Sequence, residues 1–326
     1  MTEYREADFS RLKTVPIAQR HNKVEPSLLA HPPGPDPAFS AFWSSLPDIL
    51  AARDLRYVVE QMARATGRRA VVAMLGGHVI KVGLGPLLVA LIERGVITHV
   101  AMNGSAAIHD FELAAFGGTS EDVAAGLGDG SFGMADETGR EMNAALNAGA
   151  TAQRGAGEAL AESLRSRAGL PGRSVSVLVA CAEHGVPVTV HTTVGAEIIH
   201  QHPTADGAAI GATSHRDFKR LAASLLDLHD GGVVLNLGSA VVMPEVFLKA
   251  LTIARNLHQG RPTGFTACDC DMQRQYRPRV NVVERPTLGG GRGVQLTGHH
   301  EILLPLLCWG VLALLPQRTT GSPSGG

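Results

Sequence analysis

The stretch Thr98–Thr138, THVAMNGSAAIHDFELAAFGGTSEDVAAGLGDGSFGMADET, decides how this chain is read. An apolar, strand-like run (Val96, Ile97, Val100, Ala101) leads into a polar turn of small residues, Asn103-Gly104-Ser105. His109-Asp110 follows, then a second turn, Gly117-Gly118-Thr119-Ser120. Small residues at the carboxyl end of a strand let a ligand approach the backbone, and in open α/β sheets cofactors bind at that edge.

Outward from this stretch, apolar runs alternate with helical patterns. Strands are expected at Ala70–Leu75, Val96–Met102, Pro187–Val190, Val233–Leu237 and Thr263–Cys268. Helices are expected at Pro86–Arg94, Glu137–Ala148, Gly157–Arg167, Ser176–His184, Asp217–Asp230, Pro244–His258 and Glu301–Leu314. Alternation of this kind predicts a parallel sheet with helices on both faces, a Rossmann-like doubly wound α/β fold in a single domain. Residues 1–40, with HPPGPDP at His31–Pro37, read as an extended arm. Residues 41–316 read as the domain and 317–326 as a disordered tail.

Composition narrows the function. The 326 residues carry a net charge of −1 and only 4% aromatics. Neither a nucleic-acid surface nor a stacking platform is expected from that balance. The longest apolar run, Ile302–Leu315, is too short to span a bilayer and contains Pro305. Four cysteines make no disulfide framework. The default is a soluble cytoplasmic protein. Lysine occurs only at positions 13, 23, 81, 219 and 249, so arginine supplies most of the positive charge.

Three strand ends carry ligand-compatible turns. Leu75-Gly76-Gly77-His78 is either a phosphate-cradling turn at a helix N-terminus or an ordinary strand-to-helix turn. His109-Asp110 is either an acid/base or ribose-binding pair, or a helix cap. Val234–Ala240, VLNLGSA, repeats the pattern a third time, and three such ends in one sheet weigh more than any one. In HTTVGAEIIHQHP, His191, His200, His202 and Glu197 could form a metal pair or a polar pocket rim; the spacing matches no dedicated zinc signature. Near the C-terminus, Arg277, Arg279, Arg285 and Arg292 lie among glycines and precede His299. They suit carboxylate or phosphate recognition, or else a solvated surface loop.

Several of these motifs resemble the deoxyhypusine synthase superfamily. They are GGHVIKVGLG (76–85), HVAMNGSAAIHD (99–110), GTSEDV (118–123), FGMADETGREMN (132–143), CAEHGVPV (181–188) and GVVLNLGSAVVMPEV (232–246). The resemblance covers roughly Ala70 to Trp309. It implies a Rossmann-like subunit in a homotetramer and NAD as cofactor. It also implies aminobutyl transfer from a polyamine through an enzyme lysine. The sequence departs from that pattern at the nucleophile: CDCDMQRQYRPRVNVVERPT (268–287) holds no lysine, and none follows Lys249. Thr193-Val194-Gly195 lacks the carboxylate of the family's substrate motif, and Met243-Pro244-Glu245 replaces its Lys-His-His.

The resulting expectation is an NAD-dependent enzyme of amine oxidation or transfer. The alternatives are a repurposed NAD enzyme acting on an anionic small molecule and a non-catalytic cofactor-binding protein. The expected catalytic residues are His109, His191, Glu197 and Glu245. The expected cofactor set is Gly76, Gly77, His78, Asn103, Gly104, Ser105, Asp110, Gly238 and Ser239. The substrate set is Arg277, Arg279, Arg292 and His299, and no metal is expected.

Overall fold

The run Val71–Leu75 is apolar at every position, and such runs belong to strands covered on both faces. In the computed structural model, which describes residues 7–24 and 37–316, this run lies inside a six-stranded sheet. The strands are β1 (Asn22–Val24), β2 (Val71–Leu75), β3 (His99–Asn103), β4 (Thr119–Glu121), β5 (Val188–His191), β6 (Val233–Leu237), β7 (Thr266–Asp271) and β8 (Arg292–Thr297). The six-stranded sheet runs β5-β3-β2-β6-β7-β8, with every pair parallel. Counted within that sheet alone, the order is the 3-2-1-4-5-6 of dinucleotide-binding folds.

The helices are α1 (Pro37–Ser45), α2 (Leu50–Ala65), α3 (Gly77–Lys81), α4 (Gly85–Glu93), α5 (Gly104–Phe116), α6 (Val123–Asp129), α7 (Asp136–Thr151), α8 (Ala156–Arg165), α9 (Val177–His184), α10 (Gly207–Ser224), α11 (Val242–Leu257), α12 (Tyr276–Pro278) and α13 (His300–Leu314). Successive strand side chains point to opposite faces. Val71, Ala73 and Leu75 pack with residues of α2, α4, α5 and α13, while Val72 and Met74 pack under α10 and α11. Among the described residues no helix is long and apolar enough to cross a membrane.

Some elements differ from the expectation. α10 begins at Gly207 rather than Asp217, because Asp206 accepts hydrogen bonds from the Ala208 and Ala209 amides and caps it there. β7 lies three residues later than expected, after Gly264 turns the chain at φ +71°. The Gly-rich arginine stretch contains β8, in which Val294 and Leu296 face the core and alternate with polar neighbours. The turn at Asn103-Gly104-Ser105 is the start of α5: Asn103 Oδ1 accepts from the Ala106 amide, a cap worth about 1 kcal/mol. Gly117, in the left-handed conformation at φ +76°, ends that helix.

The N-terminal segment packs on this frame. β1 pairs antiparallel with β4, and Val15 bridges Ala135. The expected boundary at 40/41 falls inside α1. Residues 1–6 and 25–36 of the expected arm, and the whole of 317–326, lie outside the described residues.

Candidate functional site

The three strand ends singled out by sequence belong to β3, β2 and β6, which are neighbours in that order. Their turns touch. A Cβ on Gly76 would lie 2.1 Å from the Gly238 carbonyl oxygen, and one on Gly77 would lie 2.0 Å from Ser105 Oγ. Only glycine permits this approach. It brings the first turns of α3 and α5 together at the carboxyl edge of the sheet, beside the β2–β6 boundary where the strand order reverses.

Beside these turns a cavity of about 250 Å³ is lined by Arg20, Lys81, Ser105, His109, Glu112, Glu121 and Glu197, among others. His109 and Glu112 share a face of α5, being three residues apart. Thr119 donates its hydroxyl proton to Glu112 Oε2, so the 2.8 Å contact between Thr119 Oγ1 and His109 Nδ1 requires His109 to be the donor. That fixes the tautomer and leaves Nε2 as an acceptor. Burial holds His109 neutral, its pKa lowered to about 4. Glu112 also accepts from Thr138 Oγ1 and Arg20 Nη1, each at 2.8 Å, so its carboxylate is fully engaged.

Glu197 rests on the first turn of α5; a Cβ at Gly104 would lie 2.2 Å from its carboxyl carbon. It accepts from the Thr193 amide at 2.7 Å. His200 Nδ1 accepts from the Gly195 amide, so its Nε2 carries the proton, 3.1 Å from Glu197 Oε2. Burial outweighs the Thr193 hydrogen bond and raises the Glu197 pKa to about 7. Lys81 takes no ion pair or hydrogen bond among the described residues. It is the free cation of the pocket.

The remaining candidates are placed elsewhere. Asp110 is adjacent to His109 on the helix and therefore points to a different side. Its carboxylate accepts from the Ser176 hydroxyl and the Val177 and Leu178 amides and is spent on the start of α9, which corrects its expected ribose role. His191 is buried at the end of β5, hydrogen-bonded to Thr189 Oγ1. His78 stands beside His300, ring centroids 5.4 Å apart. Ser239 Oγ accepts from the Met243 amide at the start of α11. Glu245 pairs with Lys249 and Arg277 and accepts from Asn281, away from the pocket. Arg279 pairs with Glu284, Arg292 with Asp54, and His299 lies 3.6 Å from Glu301. The expected substrate cluster does not converge: Arg277 and Arg279 follow β7 and His299 follows β8, while Arg292 opens β8 at the opposite edge of the parallel sheet. His202 Nε2 bonds the Gly133 carbonyl, and no metal cluster occurs among the described residues. The residue sets read from the sequence missed Arg20, Lys81, Glu112, Thr119, Glu121 and His300. The i,i+3 spacing of His109 and Glu112 is the one signal that could have found a member of this group.

No protein-family model and no curated relative matches the chain. Solved structures do. A LOR/SDH protein from Methanococcus maripaludis S2 superposes over 82% of this chain and 71% of its own, with a TM-score of 0.51 at 16% identity. The ternary complex of AgrE with ornithine and NAD+ superposes over 82% of this chain and 34% of its own, with a TM-score of 0.51 at 17% identity. A deoxyhypusine synthase structure from Entamoeba histolytica covers 81% of this chain and 88% of its own, with a TM-score of 0.48 at 10% identity. This chain spans about a third of the length of AgrE. The likeness is one of fold: the Rossmann-like parallel sheet read from the sequence is the shared architecture.

Proposed function

We propose that this chain is an NAD-linked enzyme that oxidises the amine-bearing carbon of a small zwitterionic molecule, an amino acid with a second polar end. One observation carries the reading: a single pocket at the carboxyl edge joins an unpaired lysine, Lys81, to a buried carboxyl, Glu197, and a neutral histidine, His109. A lysine free of partners suits a substrate carboxylate, and a buried carboxylate suits an ammonium. The mixed charge serves both the amine chemistry and the anionic group expected from the sequence. AgrE, of the same fold, is seen with ornithine and NAD+.

Two observations fit a dinucleotide. The first amides of α5 have no intrahelical acceptor, and Asn103 caps only that of Ala106. At the β2–β6 reversal the glycines leave no side chain over the backbone, and the buried His300 Nδ1 beside Gly238 lacks a partner. Gly76 to His78, Gly104, Ser105, Gly238 and Ser239 would hold the cofactor.

Bound NAD supplies the hydride acceptor. Lys81 orients the substrate by its carboxylate. His109 Nε2 accepts a hydrogen bond from the amine. Glu197 takes one N–H proton of the ammonium as the carbon loses hydride, and the substrate is left as the protonated imine. Water can hydrolyse that imine, or a second amine can attack it, the latter being transfer of the deoxyhypusine synthase type. NADH absorbance with ornithine, arginine and spermidine tests the proposal; appearance with at least one is expected. No NADH with any of them, together with no rise in melting temperature on adding NAD, would overturn it.

The homotetramer belongs to the same proposal. On α13, Leu304, Leu307 and Val311 are buried while Ile302 and Leu314 stay exposed, two apolar side chains that burial against a second copy would cover. Light scattering at micromolar concentration should give a tetrameric mass; a monomeric one would rule the assembly out.

A further inference from the structure

The strands of the six-stranded sheet are parallel, so the residues that precede them gather at its amino edge, opposite the working pocket. A cavity of about 600 Å³ lies there. Its wall includes Ala70, Thr98 and Pro187, the residues just before β2, β3 and β5. Arg68 and Arg69 join it from the turn after α2, and Arg261 from the turn between α11 and β7. Asp227 supplies one carboxylate against these three guanidinium groups.

Neither Arg68 nor Arg261 takes an ion pair or a side-chain hydrogen bond among the described residues. Arg69 pairs with no carboxylate there; its Nε donates to the Asp230 carbonyl at 3.0 Å. Other exposed arginines meet acids, as Arg140, Arg165, Arg167 and Arg173 do. Helices also end at this edge, and arginines can serve their free carbonyls. Backbone amides fill that role here. The Arg68 and Arg69 amides both donate to the Ala65 carbonyl at 2.8 Å, and the Arg261 amide to the His258 carbonyl at 3.1 Å.

The backbone under the arginines is tied down. The Ala70 amide donates to the Asp227 carbonyl at 3.0 Å and the Asp230 amide to the Thr263 carbonyl at 2.9 Å, joining the turns before β2, β6 and β7. Three like charges held around one cavity repel one another, and a cleft lined by one sign of charge concentrates counter-ions.

We propose that this cavity binds an organic phosphate, a phosphate monoester on a small organic body. Guanidinium forks match phosphoryl oxygens two at a time. A phosphate monoester brings roughly two negative charges, which balances three arginines against Asp227. The volume exceeds what the phosphoryl group alone needs and lies in the range of about 300–1,000 Å³ typical of small-molecule pockets. Pro187, Leu226 and Ala70 give the organic body an apolar wall. The site is independent of the chemistry at the carboxyl edge.

Calorimetric titration of the full chain at low salt tests this with inorganic phosphate, ribose 5-phosphate and AMP. NAD is kept in excess, so that a phosphate held at the carboxyl edge is competed away. At least one of the two organic phosphates should bind about tenfold or more tighter than inorganic phosphate. Arg68→Ala and Arg261→Ala should each weaken it about tenfold, the loss of one charge-assisted contact. Asp227→Asn removes the opposing carboxylate and should tighten it severalfold, a gain that misfolding cannot mimic. No binding of either organic phosphate at millimolar concentration would overturn the site. So would equal affinity for inorganic phosphate, or a loss in Arg140→Ala as large as in Arg261→Ala.

Discussion

The two halves of the sheet are built from opposite uses of charge. On the β6–β8 half, Arg277, Arg279 and Arg292 are about half exposed, and each meets a carboxylate at 3.3, 2.7 and 2.8 Å. Arg292 also lies over the Tyr57 ring, 4.0 Å from its centroid. Pairs of this kind contribute about 0–1 kcal/mol each, and each of the three charges already has a carboxylate beside it. On the β3–β5 half the charged groups are fewer and more buried. Glu112 is saturated, Glu197 is pushed toward its neutral form, and Lys81 is unpaired. Density of charge along the sequence marked the first half, yet incomplete satisfaction in a confined space marks the second.

The strongest break of this contrast is Glu197→Gln, which keeps the shape and removes the base. A loss of about 100-fold or more in kcat is expected, the usual scale for a positioned general base. An activity within threefold of wild type would move the chemistry away from Glu197. Next comes Lys81→Ala. Loss of one charge-assisted pair should raise KM about tenfold and leave kcat within a few-fold, because the contact is made equally in ground and transition states. A fall in kcat with constant KM would give Lys81 a chemical role instead.

The pH dependence sharpens the same half. In the proposed chemistry the carboxylate form of Glu197 acts as the base, and its pKa is raised to about 7. kcat/KM should therefore rise with pH through about 7 and level off above it. The profile of Glu197→Gln should lose that limb. A wild-type profile flat from pH 5 to 8 would contradict the assignment. The smallest effect belongs to the other half. Alanine at Arg277, Arg279 and Arg292 together should change kcat/KM less than twofold. Arg292→Ala alone should cost about 1 kcal/mol of stability through lost ring contact and ion pairing. A tenfold rise in KM in the triple variant would return the substrate to that side.

The fold was legible because β2 and β6 are nearly continuous apolar runs ending in small residues, whereas β8, RGVQLT, alternates with polar residues and did not read as a strand. Adjacency of three such ends, at β3, β2 and β6, follows once the sheet order is known. The site was legible only in part. His109 and Asp110 read alike in the sequence, but neighbouring helical residues point about 100° apart, so one reaches the pocket and the other caps α9. α5 itself was hidden behind Gly104 and Ser105, poor helix formers whose start depends on Asn103. Whether an arginine is free or paired is set by residues distant in sequence: Asp54 lies far from Arg292, and Arg20 lies far from Glu112. No local pattern carries that information.

One wall of the pocket comes from the segment 7–24, through Arg20, which is anchored by Glu112 and Glu121. The three-residue β1, a bridge at Val15 and hydrogen bonds from Thr14 to Asp136 and from the Ile17 amide to Glu137 hold the rest. So short a set of anchors opens far more easily than the sheet does. Any ligand that needs this wall in place lowers its open fraction by 1 + [L]/Kd. Occupancy of the pocket is thereby written into the rate at which a protease cuts a strap some ninety residues away from His109 and Glu112 along the chain.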